Sequence, residues 1–178
     1  MRTMGPALAA FALLSACGGG GAGTTSPVTA SGSIRVASPA FASGGTIPVR
    51  FTCDGRDVSP PMRWTARGSS MTALVMTDPD APGGTFVHWV LVVPGARATF
   101  GEGSVPPGAT EGTNGFGKVG YGGPCPPSGD PPHHYVFTVY ALPRSFSSGS
   151  LPTDASDALG AIEQAAGARG SVTATYGR

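Results

Sequence analysis

The sequence predicts a mainly β domain of short strands joined by many turns, with one convincing helix. Three observations carry this. The apolar residues gather into separate short runs rather than spreading evenly. Glycine and proline, 29 and 18 of 178 residues, punctuate those runs, and these are the strongest local breakers of regular structure. Only the stretch from Asp154 to Ala166 has helical spacing of its apolar residues. A glycine and proline share this high can also mark disorder, but the distinct apolar runs argue for packed strands.

In chain order, Ile34 to Ala37 is a short edge-strand candidate, and Ile47 to Phe51 a better one, ended by the turn pair Asp54-Gly55. Met62-Arg63-Trp64 is another short strand after Ser59-Pro60-Pro61. Met71 to Thr77 is apolar without clean alternation, which predicts a strand covered on both faces. Thr85 to Val93 is apolar on both faces and reads as a central strand, with Phe86, His88, Val90 and Val92 on one side. Pro94 to Gly129 reads mostly as loop, a length that is often functional. His133 to Leu142 is the third strong strand, with His133, Tyr135, Phe137 and Val139 sharing a face. Asp154 is placed to cap the helix, Leu159, Ile162 and Ala166 form its apolar stripe, and Gly167 ends it. Ser171 to Tyr176 closes the chain as a strand.

The N-terminus carries a targeting signal. Arg2 precedes an apolar segment from Pro6 to Leu14, too short to span a bilayer as a helix, and Leu14-Ser15-Ala16-Cys17 follows. This is the layout of a secretory signal, and its ending resembles a bacterial lipobox, in which Cys17 is lipidated. The expected organisation is a signal peptide over 1–17, a Gly/Ser/Thr-rich flexible tether over 18–32 and a folded domain over 33–178. Gly18 rather than aspartate after the cysteine favours the periplasmic face of the outer membrane. With Cys17 lipidated, Cys53 and Cys125 remain as an even pair in an oxidising compartment, where a disulfide is expected.

The chemistry gathers around Asp78-Pro79-Asp80-Ala81-Pro82 and the His88-Trp89 that follows. Two prolines stiffen the loop, which hangs between two apolar strands. The aspartates can act as turn caps, as acid–base groups or as partners of a buried histidine. A two-histidine, one-carboxylate metal set would recruit Asp78, His88 and His133, but from three separate segments, and no metal is expected. No Gly-x-Ser-x-Gly elbow supports a serine hydrolase. Lys118 lacks the flanking residues of a phosphate loop. A formal charge of +1, with 12% charged residues, gives no case for a nucleic-acid partner. The remaining reading is an anion pocket: Asp78 orients and charges His88, His133 and Tyr135 add donors, and loop amides complete the cradle.

Asp78-Pro79-Asp80-Ala81-Pro82 with His88-Trp89, Gly120 to Pro127, and His133-His134-Tyr135-Val136-Phe137 resemble the phosphatidylethanolamine-binding protein family. The likeness is greatest to its bacterial Raf-kinase-inhibitor-like branch, whose pattern Cys53-Asp54-Gly55, Ser59-Pro60-Pro61 and Trp64 also follow. The resemblance spans 34–178. It implies a central antiparallel Greek-key sheet, a smaller second sheet and a phosphate-ester pocket at one end. Carried over by position, the pocket comprises Asp78, Asp80, Pro82, His88, Cys125 with its adjacent loop backbone, His133 and Tyr135. Phe86 stands where many members have tryptophan, implying a less polar rim, and Gly115 replaces a frequent aspartate, leaving the loop's anchor open. The C-terminal helix of the mammalian relatives is not matched, so their kinase-regulatory role is not carried over.

The function expected is a lipid-anchored, exported protein of the bacterial envelope. It holds a small anionic or phosphorylated ligand, such as a phospholipid headgroup, without a cofactor and without turnover. The alternatives are an inhibitor-like module acting on a protein partner through its surface, and a weak hydrolase using Asp78 or Asp80 with His88.

Overall fold

The structure, a computed structural model, describes residues 34–178; the expected signal peptide over 1–17, with Cys17, and the expected tether over 18–32 lie outside the described residues. Two antiparallel sheets and one helix form three layers. The larger sheet has the order β6-β4-β3-β7-β8 and the smaller one β1-β2-β5. The strands are β1 (Arg35–Ala37), β2 (Met62–Thr65), β3 (Met71–Asp78), β4 (Phe86–Pro94), β5 (Arg97–Phe100), β6 (Thr110–Glu111), β7 (His133–Leu142) and β8 (Ala168–Tyr176). Strand β7 returns beside β3 rather than beside β4, which produces the Greek-key order. No helix among the described residues is long and apolar enough to cross a membrane.

Strands β3 and β4 lack alternation because the large sheet is covered on both faces. Leu74, Met76, Trp89, Leu91, Phe137 and Val139 pack toward the small sheet, against Met62, Trp64 and Phe100. Ala73, Val75, Val90, Val92 and Tyr140 pack toward α1 (Ala155–Ala165). The Asp154 carboxylate accepts from the backbone N–H of Ser156 and Asp157 and caps α1 as predicted. Its buried residues are Ala155, Ala158 and Ile162, with Leu159 and Ala166 only partly covered, so the apolar stripe is rotated from the expected one.

Three further expectations are corrected. Residues 47–51 are not a strand: Ile47 donates to the Thr175 carbonyl, then Val49–Phe51 turns as a 3-10 helix. Pro48 has no N–H to continue a ladder, and its carbonyl instead accepts from Phe51. The stretch 94–129 is mostly loop, as expected, but contains two short strands that were not foreseen, β5 paired with β2 and β6 with β4. The last strand starts at Ala168 rather than at Ser171.

The largest departure lies in β4. Met76 pairs with Trp89 but Thr77 pairs with Val87, so His88 is an extra residue with no partner on β3. Such a bulge turns two successive side chains to the same side. His88 therefore leaves the expected face with Val90 and Val92, and joins Met76, Tyr135 and the aromatic side of the sheet.

Two substitutions test this layering. Ile162→Ala removes the buried centre of α1 and is expected to cost about 2–5 kcal/mol of unfolding free energy. Asp154→Ala, losing the cap alone, is expected to cost about 1 kcal/mol. Denaturant titration followed by circular dichroism measures both.

Candidate functional site

The ends of β3, β4 and β7 meet at one rim of the large sheet, and each delivers one polar residue. Asp78 ends β3, His88 sits in the bulge of β4, and His133 opens β7; all three are buried. Tyr135, two residues into β7, is fully buried with its ring edge-on to His88, the centroids 5.3 Å apart.

The bonding differs from the sequence expectation. Asp78 holds His133, not His88: its Oδ2 lies 2.7 Å from His133 Nδ1, while its Oδ1 accepts the backbone N–H of Asp80 at 2.9 Å. Both carboxylate oxygens are thus engaged. The nearest carboxylate to the outer nitrogen of His133 is Asp130, 3.9 Å from Nε2. His88 Nδ1 donates instead to the Gly122 carbonyl at 2.8 Å. A carbonyl oxygen can only accept, so Nδ1 carries the hydrogen and Nε2 of the neutral ring holds the lone pair. Burial pushes the pKa of His88 below the ordinary histidine value, opposed in part by the Gly122 carbonyl and the charge of Asp78. Burial first, and then the negative charge of Asp78, raises the Tyr135 phenol far above the ordinary tyrosine range. Its hydroxyl is buried and, among the described residues, makes no hydrogen bond of good geometry, although Asp78 and the Cys125 backbone lie close enough to act on it.

Asp80 and Pro82 do not join this group. Asp80 is exposed and accepts from the backbone N–H and Nδ1 of His134, at 2.7 and 2.8 Å, which hold its carboxyl below the usual range. Pro82 is exposed in the β3–β4 turn. Of the two adjacent histidines one serves the site and the other braces the turn, as opposite faces of a strand require. Among the described residues no set of three His, Cys, Asp or Glu is arranged to hold a metal ion.

The wall opposite β7 is the 112–125 segment, and the residues that fasten it were missed in the sequence. Asn114 is buried: its Oδ1 accepts from the N–H of Phe116 and Lys118, and its Nδ2 donates to the Gly120 carbonyl. It anchors the loop through these three bonds. Asp57 accepts the N–H of Gly123 at 2.7 Å from a left-handed backbone, φ 52°. Tyr121 donates its hydroxyl to the Phe51 carbonyl at 2.6 Å. The Cys53–Cys125 disulfide is present, Cα atoms 5.4 Å apart, and beside it the Cys53 N–H donates to the Pro124 carbonyl. The Asn114-Gly115 pair was a turn signal available in the sequence; Asp57 offered none beyond its place in a turn-rich stretch.

Two phenyl rings close the rim. Phe86 and Phe116 are edge-on to each other, 4.7 Å apart, and each is edge-on to His88, at 4.9 and 5.5 Å. A Cβ on Gly115 would lie 2.6 Å from the Phe86 ring, and one on Gly122 2.6 Å from the Phe116 ring. Those two glycines make room for the two rings. Phe116 remains 47% exposed, so an apolar surface borders the buried donors.

A profile of the family described as "Phosphatidylethanolamine-binding protein" matches residues 37–177. The chain belongs to that family. A Mycobacterium tuberculosis protein named as a candidate lipoprotein, LppC, is 39% identical over 189 residues, covering 95% of this chain and 92% of its own length. A UPF0098 protein of Aquifex aeolicus is 46% identical, covering 69% of this chain and 75% of its own. Among solved structures, Escherichia coli YbcL, titled a member of the mammalian PEBP family, superposes with a TM-score of 0.72 at 30% identity, over 82% of this chain and 98% of its own. A phosphatidylethanolamine-binding protein homologue of Chlamydia trachomatis gives 0.70 at 29%, with the same coverage. The two-sheet architecture is thus that of the phosphatidylethanolamine-binding protein family.

The disulfide stitches the 120–127 loop to the segment after the 3-10 helix and closes 72 residues. Replacing both cysteines by serine is expected to cost about 4 kcal/mol on the chain-entropy model and to lower the denaturation midpoint in urea. An unchanged midpoint would show that the noncovalent clasps of Asp57, Asn114 and Tyr121 suffice.

Proposed function

We propose that this member of the phosphatidylethanolamine-binding protein family binds a small phosphate ester at the His88–Tyr135–His133 rim. The observation that carries the reading is the buried Tyr135 hydroxyl, which makes no hydrogen bond of good geometry although it lies near Asp78 and the Cys125 backbone, close to two histidines whose Nδ1 atoms are already engaged. A buried unpaired hydroxyl costs free energy unless something bonds to it. A ligand oxygen that accepts from Tyr135, and from His88 Nε2–H when that ring is protonated, removes that cost. The Phe86 and Phe116 rings favour an ester with an organic substituent over bare inorganic phosphate.

Binding rather than turnover suits the hydrogen bonds. Asp78 has both oxygens engaged and Asp80 is turned to His134, which leaves no carboxylate beside His88 to act as its acid–base partner. No turnover of a chromogenic phosphate ester is expected. The setting we propose is a lipid-anchored protein of the bacterial envelope, supported by the lipobox-like Leu14 to Cys17 and by a relative named as a lipoprotein.

Isothermal titration with phosphorylethanolamine is expected to show binding that His88→Ala or Tyr135→Phe weakens by roughly tenfold or more, about the worth of one charge-assisted hydrogen bond. Equal binding by wild type and both variants would overturn the site.

The pH dependence has a definite sign. With Nδ1–H committed to Gly122, neutral His88 has only a lone pair at Nε2 and cannot donate to an anion. Its lowered pKa keeps it neutral at neutral pH. Affinity should therefore rise as pH falls below the ordinary histidine value near 6.5 and fall as pH rises. The same burial makes the ligand-free fold less stable in acid: a neutral buried histidine supports the fold above its unfolded pKa and loses that support as pH drops. Titrations from pH 5 to 8 in wild type and His88→Ala separate the histidine from the phosphate's own ionisation. An identical pH profile in both would remove His88 from the proton linkage.

A further inference from the structure

The small sheet presents an unused cationic face. Its strands β1, β2 and β5 contain no Asp or Glu but three arginines, Arg35, Arg63 and Arg97. Val36, Met62, Trp64, Ala98 and Phe100 pack inward, so alternation turns Arg35, Arg63, Thr65, Arg97 and Thr99 outward, and all three arginines are exposed. The register lines them up: Arg35, Thr65 and Arg97 form one row across the three strands, and Ala37, Arg63 and Thr99 the next. At the usual strand spacing the Cα atoms of Arg35 and Arg97 lie about 10 Å apart. Among the described residues none of the three has a carboxylate within 4 Å, which is true also of Arg67, Arg144 and Lys118, whereas Arg50, Arg56, Arg169 and Arg178 are each paired with one. A groove of about 600 Å³ runs along this face, lined by Arg35, Arg63, Thr65, Thr99 and Ser171 among others. Unpaired guanidinium groups interleaved with hydroxyls form a donor surface suited to phosphate oxygens.

The position of this face in the chain selects the occupant. Arg35 is the second described residue, and Cys17 lies seventeen positions before Ile34. Even fully extended, that connection reaches no more than about 60 Å. If Cys17 is lipidated, β1 is the strand closest along the chain to the anchor. We propose that the outward face of β1-β2-β5 docks on an anionic lipid surface and orients the domain on its membrane, a step that rests on the lipid-anchor reading given above. The docked face is separate from the phosphate-ester rim. Gly170, against which Ile34 packs, pairs with Val139, while Tyr176 pairs with His133 six residues further along, about 20 Å away. Docking thus leaves the rim free to take its own ligand.

Vesicle co-sedimentation of the full chain carrying Cys17→Ser, which cannot be lipidated, tests the face without the anchor. Phosphatidylcholine vesicles set the baseline, including any apolar contribution of the N-terminal segment, and phosphatidylglycerol-containing vesicles supply the anionic surface. The expected result is tighter binding to the anionic vesicles, reversed by high salt. In the triple variant Arg35→Gln, Arg63→Gln, Arg97→Gln it should be weakened about fivefold per charge, roughly a hundredfold in all. Arg67→Gln with Arg144→Gln should bind like the parent, which separates this face from net charge. His88→Ala should also bind like the parent, so that failure of the phosphate-ester site is told apart from failure of docking. No preference for anionic vesicles, an undiminished triple variant, or an equal loss in the Arg67, Arg144 control would overturn the proposal. Intact mass of the wild-type chain tests lipidation of Cys17 independently.

Discussion

The site depends on one irregularity, the extra residue at His88 in β4. Without it Thr77 would face His88 and the imidazole would point toward α1, among Val75, Val90 and Val92. With it, Asp78 pairs directly with Phe86, and His88 turns to the side that holds Tyr135 and His133. The bulge therefore decides whether the three strand ends share a site at all. It also frees β4 locally from its neighbour, and the 112–125 segment takes up the released backbone. Gly115 donates to the Val87 carbonyl and Gly122 to the His88 carbonyl, while the Gly122 carbonyl accepts from the His88 ring. A slip of one residue in a strand thus recruits a loop from some thirty residues away.

The division of labour between the carboxylates follows from the same geometry. Asp78 lies on the buried side of β3 and faces His133 across β7; Asp80, beyond the end of the strand, is at the surface and meets His134. Two aspartates two residues apart and two histidines side by side thus form two separate pairs, one buried and one exposed. The exposed pair adds little stability by charge alone, but its backbone hydrogen bond fixes the turn that leads into β4. The buried pair positions an imidazole. Neither leaves a free carboxylate to compete with an anion at the rim.

What the sequence made legible tracks the strength of each pattern. The strands over 71–78, 86–94 and 133–142 are long apolar runs, and nothing else in the chain competes with that signal. The helix was legible from Asp154 and Ile162. The failures have local causes. Pro48 turned an apolar run into a 3-10 turn, and β5 is only Arg97-Ala98-Thr99-Phe100, an edge strand whose alternation is four residues long. The histidine that Asp78 orients was misassigned because a bulge leaves no trace in composition or spacing: Phe86, Val87, His88 and Trp89 read alike with or without it. His133 and Tyr135 share the expected buried face because β7 runs straight and keeps period two. The Cys53–Cys125 pairing was legible by count alone; Asn114, with three side-chain hydrogen bonds, showed only as a turn signal, and Asp57, with one, did not show at all.

The protonation chemistry at the rim is a consequence of burial rather than of charge pairing. Had Asp78 held His88, as the sequence suggested, the carboxylate would have favoured the imidazolium and offered a standing positive charge to any anion. A carbonyl in that place fixes the tautomer but supplies no full charge, and burial then keeps the ring neutral. The proton that makes His88 a donor must arrive with the ligand or from solvent as pH falls. An anion that brings its own proton, as a phosphate monoester does near its second ionisation, can bond to the Nε2 lone pair directly; a permanently ionised phosphodiester cannot. On the reading of the rim proposed above, committing His88 Nδ1 to Gly122 and His133 Nδ1 to Asp78 would favour an anion that carries a proton over one that does not.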